Sequence, residues 1–157
     1  MCIRDRTAAI AVVSIALFGS AHAKTLKIET HFTASSPNGE VAAQFAKNVE
    51  KFSGGSLKVQ MFYSSSVTGK SAEVFNSAQT GIIDCDMTGA GYQTGKNAAF
   101  QFAGDVMGGY DNPYQQYEFL NFPGAQEAVD ALYNKYGMTL IGWWIPGHES
   151  LISSRPI

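Results

Sequence analysis

The chain has 157 residues, of which 45% are hydrophobic and 15% charged, and its formal net charge is -2. This length and the 12% content of aromatic residues predict a folded domain with one sizeable core and exclude an intrinsically disordered protein. A chain with this charge also lacks the concentrated basic face that a nucleic-acid-binding protein needs.

The first 23 residues have the pattern of a secretory signal peptide. Arg4 and Arg6 precede an apolar run over residues 8–18, and an A-x-A site ends at Ala23. As a helix, this run would rise only about 16 Å, against a hydrocarbon core of roughly 30 Å, so we do not expect a membrane span. The pattern predicts cleavage after Ala23, export to the periplasm and a mature part that comprises residues 24–157.

Cleavage would change both the charge and the cysteine content. The mature part keeps nine basic and twelve acidic side chains, a net charge of -3, and it loses Cys2. Cys85 is then the single remaining cysteine, so no internal disulfide is expected and the fold must be held by its core.

The first half of the mature chain alternates strands and helices. Residues 25–30 alternate apolar and polar side chains and predict a strand. Ser36 and Pro37 suit the N-cap and first position of a helix, whose apolar stripe runs to Phe52. Two further strands are predicted at residues 57–61 and 82–87, with a helix over residues 70–80 between them.

The second half predicts two helices and a last strand. Asn112 and Pro113 begin a helix by the same N-cap pattern, and Pro123 followed by Gly124 is expected to break it. A further helix is predicted over residues 125–136, and the apolar stretch MTLIGWW at residues 138–144 predicts a central strand.

This order of elements predicts the fold class. Alternating strands and helices indicate one α/β domain with a doubly wound, mostly parallel sheet. Such sheets bind ligands beyond the carboxyl ends of their strands. We therefore expect a ligand near four loops, at residues 31–35, 63–69, 88–95 and 145–150.

Several polar residues could carry chemistry at these loops. His31 and His148 have no carboxylate or cysteine at ligand spacing, so a metal site is not expected. Asp84 and Asp86 would share a strand face, either as solvated carboxylates or, with His31, as the acid and base of a secreted α/β hydrolase-type enzyme. Cys85 between them is expected to point into the core.

Aromatic residues and glycines near the same loops have other interpretations. Trp143 and Trp144 are adjacent and should face opposite ways in a strand. Tyr92 and Trp144 are candidate pocket walls, with plain core packing as the alternative. Gly89, Gly91 and Gly95 are spaced one residue too far for a dinucleotide-binding loop, so no cofactor is expected.

Several segments resemble the solute-binding proteins of TRAP (tripartite ATP-independent periplasmic) transporters, in the DctP-like family. KNVEKFSGGSLKV at residues 47–59 looks like their helix-turn-strand unit, and QTGIID at 79–84 and SSRPI at 153–157 fit the same pattern. The segments at 63–69 and 136–140 are also similar, and KNAAF at 96–100 resembles the branch that binds keto and hydroxy acids.

The resemblance implies a receptor of two lobes, similar to class II binding proteins, that closes on a small organic acid. That acid would be a monocarboxylate, a keto or hydroxy acid, or a dicarboxylate. The receptor would deliver it to an ion-gradient-driven permease with a small and a large membrane subunit. Residues 24–157 would form the N-terminal lobe, and the second lobe, with the arginine that clamps the ligand carboxylate in the family, is absent.

The expected ligand-binding residues are His31, Tyr92, Trp144 and Glu149, with no catalytic residue. Glu149 stands where some acid-binding members carry a second arginine, which argues against a dicarboxylate or sialic acid. Two other classes remain as alternatives: the secreted enzyme that uses Asp84, Asp86 and His31, and the exported binding lobe of an ATP-driven uptake system.

Overall fold

The computed structural model describes residues 23–104, 106, 109–145 and 153–155. These residues form a three-stranded parallel sheet with helices around it. The elements in chain order are β1 (Lys24–Thr30), α1 (Pro37–Phe52), β2 (Leu57–Phe62), α2 (Ser71–Gln79), β3 (Cys85–Met87), two 3₁₀ helices (Ala90–Gln93 and Ala98–Phe102), α3 (Pro113–Asn121) and α4 (Pro123–Asn134). Within the described ranges, none of the helices has the length and apolar character needed to cross a membrane.

The sheet has β1 at its centre, in the order β2-β1-β3, and both pairings are parallel. Because parallel crossovers are right-handed, the connections from β1 to β2 and from β2 to β3 place α1 and α2 on opposite faces. The carboxyl end of β1 is therefore covered on both sides, and Ile28, Glu29 and Thr30 are all buried. This arrangement confirms the predicted fold class.

The start of α1 shows how its sequence positions the loop after β1. The Ser36 hydroxyl oxygen accepts a hydrogen bond from the Gly39 N–H at 3.1 Å, and Pro37 occupies the first turn, where its missing N–H costs nothing. The Ser36 hydroxyl donates in turn to the Thr33 carbonyl at 2.8 Å. The predicted helix start is confirmed, and the loop at residues 31–35 is tied to it.

The core on the α2 side is aromatic. Phe75 and Phe100 are fully buried, and their ring centroids lie 5.9 Å apart in an edge-to-face arrangement. Tyr133 and Tyr136 each contact both rings at centroid distances of 5.2–6.0 Å. These four rings attach α4 to α2 and to the second 3₁₀ helix.

Strand β3 is shorter than predicted, because it covers Cys85–Met87 and not residues 82–87. The N–H groups of Ile82 and Ile83 donate to the Ser77 carbonyl at 2.9 and 3.3 Å, so these residues close the end of α2. Asp84 precedes the strand, and its Oδ2 accepts the Lys27 N–H at 2.8 Å.

The predicted helix break at Pro123 is confirmed, because α3 ends at Asn121, and Pro123 itself begins α4, where proline fits the first helical turn. The predicted last strand was wrong. Residues 138–144 form no strand. The Leu140 N–H donates to Asp130 Oδ1 of α4 at 2.8 Å, and the Met138 N–H donates to the Tyr133 carbonyl at 3.2 Å. These bonds hold the start of the segment to α4 rather than to the sheet.

Replacing Gly39 with alanine should destabilise the chain. A Cβ atom at Gly39 would collide with the backbone carbonyl of Thr33, and a backbone carbonyl cannot rotate away as a side chain can. We expect a loss of about 1–3 kcal/mol in the free energy of unfolding, measured by urea denaturation. Gly91→Ala is the matched control, since its Cβ would meet no atom within 4 Å. Equal stabilities of the two variants would contradict the expected clash.

Candidate functional site

The carboxyl ends of β1 and β3 form the most polar region of the sheet. In the order β2-β1-β3, the connection that follows β1 and the one that leads into β3 run over opposite faces. Adjacent strands at such a topological switch leave a crevice between their carboxyl ends, where open α/β sheets bind ligands. His31 and Phe32 follow β1 into this crevice, and Thr88 follows β3.

Aromatic rings from three parts of the chain meet at the crevice. The His31 and Tyr92 centroids are 5.3 Å apart, the His31 and Phe32 centroids 3.9 Å, and the Phe32 and Trp144 centroids 5.9 Å. Tyr92 belongs to the first 3₁₀ helix, and 46% of its surface is exposed. The four residues Tyr92, His31, Phe32 and Trp144 therefore form one continuous row, which we call the aromatic row.

The His31 imidazole is partly buried within this row. Burial lowers the pKa of the ring below its usual value, because desolvation disfavours the charged form. Its Nδ1 atom is buried and has no hydrogen-bond partner among the described residues. Burial therefore favours the neutral imidazole, which can hydrogen-bond a ligand.

Two carboxylates lie side by side behind the row. Glu29 of β1 and Asp86 of β3 are partners in the parallel register. Glu29 is fully buried, and its Oε1 accepts the N–H groups of Val67 at 2.6 Å and Thr68 at 3.3 Å. Glu29 Oε2 and Asp86 Oδ1 are buried with no hydrogen-bond partner in the described part of the chain.

Burial also controls the electrostatics of Asp86. Desolvation raises the pKa of Asp86 to about 6, and the charge of Glu29 adds to the rise. Thr88 lies close to the Asp86 carboxylate and offsets part of this rise in pKa. The Thr88 hydroxyl oxygen nevertheless makes no hydrogen bond of ordinary geometry within the described residues. The Asp86 charge contributes in turn to a raised pKa of about 12 for Tyr133, which is mainly due to burial.

A cavity of about 510 Å³ lies along the outer edge of β3. Its walls come from β3 and the residues beside it, from α1, and from residues 137–144 after α4. Phe32, Asp86, Thr88 and Trp144 line it, so it is continuous with the aromatic row. Its volume lies within the usual range for small-ligand pockets.

The structure brings together three of the four predicted site residues. His31, Tyr92 and Trp144 belong to the aromatic row, whereas Glu149 lies outside the described residues, as does His148. Trp143 packs against the core while Trp144 contacts Phe32, as expected for adjacent residues in extended chain. Their roles in ligand binding stay predictions.

The residues considered for other chemistry lie apart from one another. Asp84 is exposed and holds the Lys27 backbone, and the His31 ring nitrogen Nδ1 is not bonded to any carboxylate in the described part. Cys85 is half-buried and lines the cavity rather than the core, and burial raises the pKa of its thiol. The described residues contain no group of three or more His, Cys, Asp or Glu side chains that could hold a metal ion.

Sequence analysis missed Phe32 and Thr88 as parts of the site. Phe32 follows His31 directly, and Thr88 follows the last residue of β3. Their position at the carboxyl ends of neighbouring strands was a usable signal, because side chains there face the crevice.

An α/β lobe with a crevice of this kind has the architecture of a ligand-binding module. The chain belongs to family 7 of the bacterial extracellular solute-binding proteins, the DctP family, whose sequence profile matches residues 28–157. A comparison with curated proteins gives no match. The family and the similar structures are solute-binding receptors and not enzymes, which argues against the hydrolase-type alternative.

Several solved structures are similar to the chain. A TRAP periplasmic solute-binding protein from Rhodobacter sphaeroides, in an apo open form, has 25% sequence identity and a TM-score of 0.70 over 75% of this chain and 37% of its own. A protein from Pseudoalteromonas atlantica with bound sodium and pyruvate has 20% identity and a TM-score of 0.67 over 73% of this chain and 35% of its own.

A third similar structure is an extracytoplasmic solute receptor of Bordetella pertussis that binds pyroglutamic acid. It has 20% identity and a TM-score of 0.62, over 75% of this chain and 38% of its own. The chain thus spans 34–38% of the length of these neighbours and of the others compared with it.

Asp86 should make the stability of the chain depend on pH. Its pKa rises from 3.8 to about 6 on folding, so the folded chain binds this proton more tightly than the unfolded chain. The protonated Asp86 contributes roughly 3 kcal/mol to the free energy of unfolding at a pH below its unfolded pKa of 3.8. This contribution is lost as the pH rises through the folded pKa of about 6. Asp86→Asn should therefore become more stable relative to the parent chain across this window.

The measurement is urea denaturation of both chains at several pH values from about 4 to about 8, a range that covers the expected change between roughly pH 4 and 6. His31 titrates with the opposite sign, but its contribution is common to both chains and cancels in the difference. Asp111→Asn, which removes an exposed carboxylate, is the control and should show no such trend. A difference between Asp86→Asn and parent that does not vary with pH would contradict the assignment.

Proposed function

We propose that this chain supplies the N-terminal lobe of an extracytoplasmic receptor that captures a small organic acid and delivers it to a TRAP membrane permease. The observation that carries the proposal is the aromatic row at the switch between β1 and β3, in a chain whose family consists of solute-binding proteins. Rigid aromatic faces suit a small ligand that is enclosed when two lobes close.

In this proposal, residues 1–23 direct export and are removed after Ala23, so the receptor works in the periplasm. Residues 24–157 form one lobe, and a second lobe provides the other wall of the cleft. The similar structures are more than twice as long as the part that this chain matches, which supports a second lobe.

The roles of the site residues follow from their chemistry. Tyr92 and Trp144 would contact the ligand through their ring faces, and His31 would hydrogen-bond it as a neutral imidazole. Glu149 is proposed as a fourth contact from its place in the sequence alone. An arginine of the second lobe would hold the ligand carboxylate by a bidentate hydrogen bond, as the family resemblance implies.

The similar receptors support an organic acid as the ligand. The receptors from Pseudoalteromonas atlantica and Bordetella pertussis and a further one from Bordetella bronchiseptica bind pyruvate, pyroglutamic acid and picolinate, respectively, all small carboxylic acids. Residues 24–157 have a net charge of -3 and therefore no general attraction for anions, so the acid group itself would be held by the other lobe.

A receptor with both lobes should be stabilised by its ligand. A ligand that binds only the native state at a hundred times its dissociation constant adds about 2.7 kcal/mol to the free energy of unfolding. We expect at least one acid from a panel of monocarboxylates, keto acids and hydroxy acids to raise the thermal midpoint by several degrees. Residues 24–157 alone should show little or no shift, because half of the cleft is missing.

Hydrolysis of carboxylic esters by the receptor, abolished in Asp86→Asn, would contradict the proposal in favour of an enzyme. A strong shift of the isolated lobe with the same acids would contradict the division of the cleft between two lobes.

Replacing Trp144 with alanine should weaken ligand binding. Loss of one ring face from the cleft should raise the dissociation constant about tenfold, which corresponds to roughly 1.4 kcal/mol. Titration calorimetry on the two-lobed receptor measures the change for the acid identified in the panel. Tyr114→Ala, which removes an exposed ring on α3, is the matched control and should bind as the parent does. An unchanged affinity in Trp144→Ala would remove Trp144 from the site.

A further inference from the structure

The charged residues that line the cavity beside β3 all have the same sign within the described part of the chain. Its charged side chains within the described ranges are Asp84 and Asp86, both of them acidic. No lysine or arginine of the described residues lines it. An anionic group that entered this cavity would meet negative charge without a compensating cation.

Asp86 is the more important of the two carboxylates, because Asp84 is exposed to water. Asp86 Oδ1 is buried without a hydrogen-bond partner in the described part. Its register partner Glu29 is fully buried and also acidic. The salt bridge found among the described residues joins Lys58 and Glu50 on the surface, so it does not involve this pair. Asp86 is thus a partly buried carboxylate with no counter-charge in the described part of the chain, and such a group favours a cation in contact with it.

Aromatic rings in the otherwise mostly apolar walls of the cavity also suit a cation. The rings of Phe32, Tyr133 and Trp144 line it, and an ammonium group is attracted to the face of an aromatic ring, most strongly that of tryptophan. Thr88 also lines the cavity, beside Asp86 on the same segment.

We propose that this cavity binds the ammonium group of the ligand, with Asp86 as its counter-charge and Phe32 and Trp144 as its aromatic walls. The substrate class is then an organic acid that carries a protonated amine, rather than a dicarboxylate or a plain monocarboxylate. The inference rests on the proposed function, since the acid group is assigned to the other side of the cleft.

The test compares isosteric ligands on the two-lobed receptor at pH 7.5. β-Alanine, butyrate and succinate share one skeleton and end in an ammonium, a methyl and a carboxylate group, respectively. 4-Aminobutyrate, pentanoate and glutarate form the same series with one more methylene. Titration calorimetry should give at least tenfold tighter binding of the amine than of the methyl compound in one of the two series, with the dicarboxylate weakest in both.

Asp86→Asn should remove this preference without affecting the plain monocarboxylate, because it removes the counter-charge and keeps the shape. Asp111→Asn, which neutralises an exposed carboxylate that does not line the cavity, should leave the whole ranking unchanged. The order of the six dissociation constants is measured on the parent receptor. The proposal can therefore be tested even if Asp86→Asn does not fold.

Two failures are distinguishable. The ammonium assignment would be overturned, with the organic-acid receptor left intact, if butyrate and pentanoate each bound as tightly as the matched amine. The same holds if a dicarboxylate bound as tightly as its matched amine, or if an acid of the wider panel bound while none of the six ligands did. Absence of binding by all six ligands and by the wider acid panel would overturn the proposed function, and the assignment with it.

Discussion

β1 is paired with a parallel strand on each side, and its last three residues, Ile28, Glu29 and Thr30, are buried. A strand in this position must have both backbone edges hydrogen-bonded and both faces covered, which requires crossover helices on opposite faces of the sheet. The same reversal of the chain opens the crevice between the ends of β1 and β3. The position of the site therefore follows from the burial of one strand and not from any residue within the site.

The polar groups of the sheet are concentrated at that crevice. Glu29 Oε1 is satisfied by the loop after β2, but its second oxygen and the buried polar atoms of His31, Asp86 and Thr88 have no partner among the described residues. Folded proteins pair most buried polar groups, because an unpaired one lowers the free energy of unfolding. A cluster of unpaired groups is therefore typical of a functional site rather than of a packed core. The aromatic core around Phe75 and Phe100 adjoins this region through Tyr133 and carries the packing.

Local patterns predicted most of the first half of the domain. Ser36 and Pro37 begin α1 as expected, because capping and the fixed φ of proline are local effects. Residues 138–144 failed, because an apolar, β-prone segment becomes a strand only when a neighbouring strand accepts its hydrogen bonds. Here Asp130 of α4 takes the Leu140 N–H instead. Ile82 and Ile83 failed similarly, since their N–H groups donate to the Ser77 carbonyl at the end of α2.

The sequence by itself determined the class of fold, the family and the place of His31, Tyr92 and Trp144 on strand-end loops, because these depend on periodicity, capping and ordered motifs. Only the tertiary structure showed that Phe32 joins those rings into one row and that Asp86 stands beside Glu29. These neighbours come from segments far apart in the chain. Their contacts and the shifted pKa of Asp86 depend on strand register and burial, which no local pattern encodes.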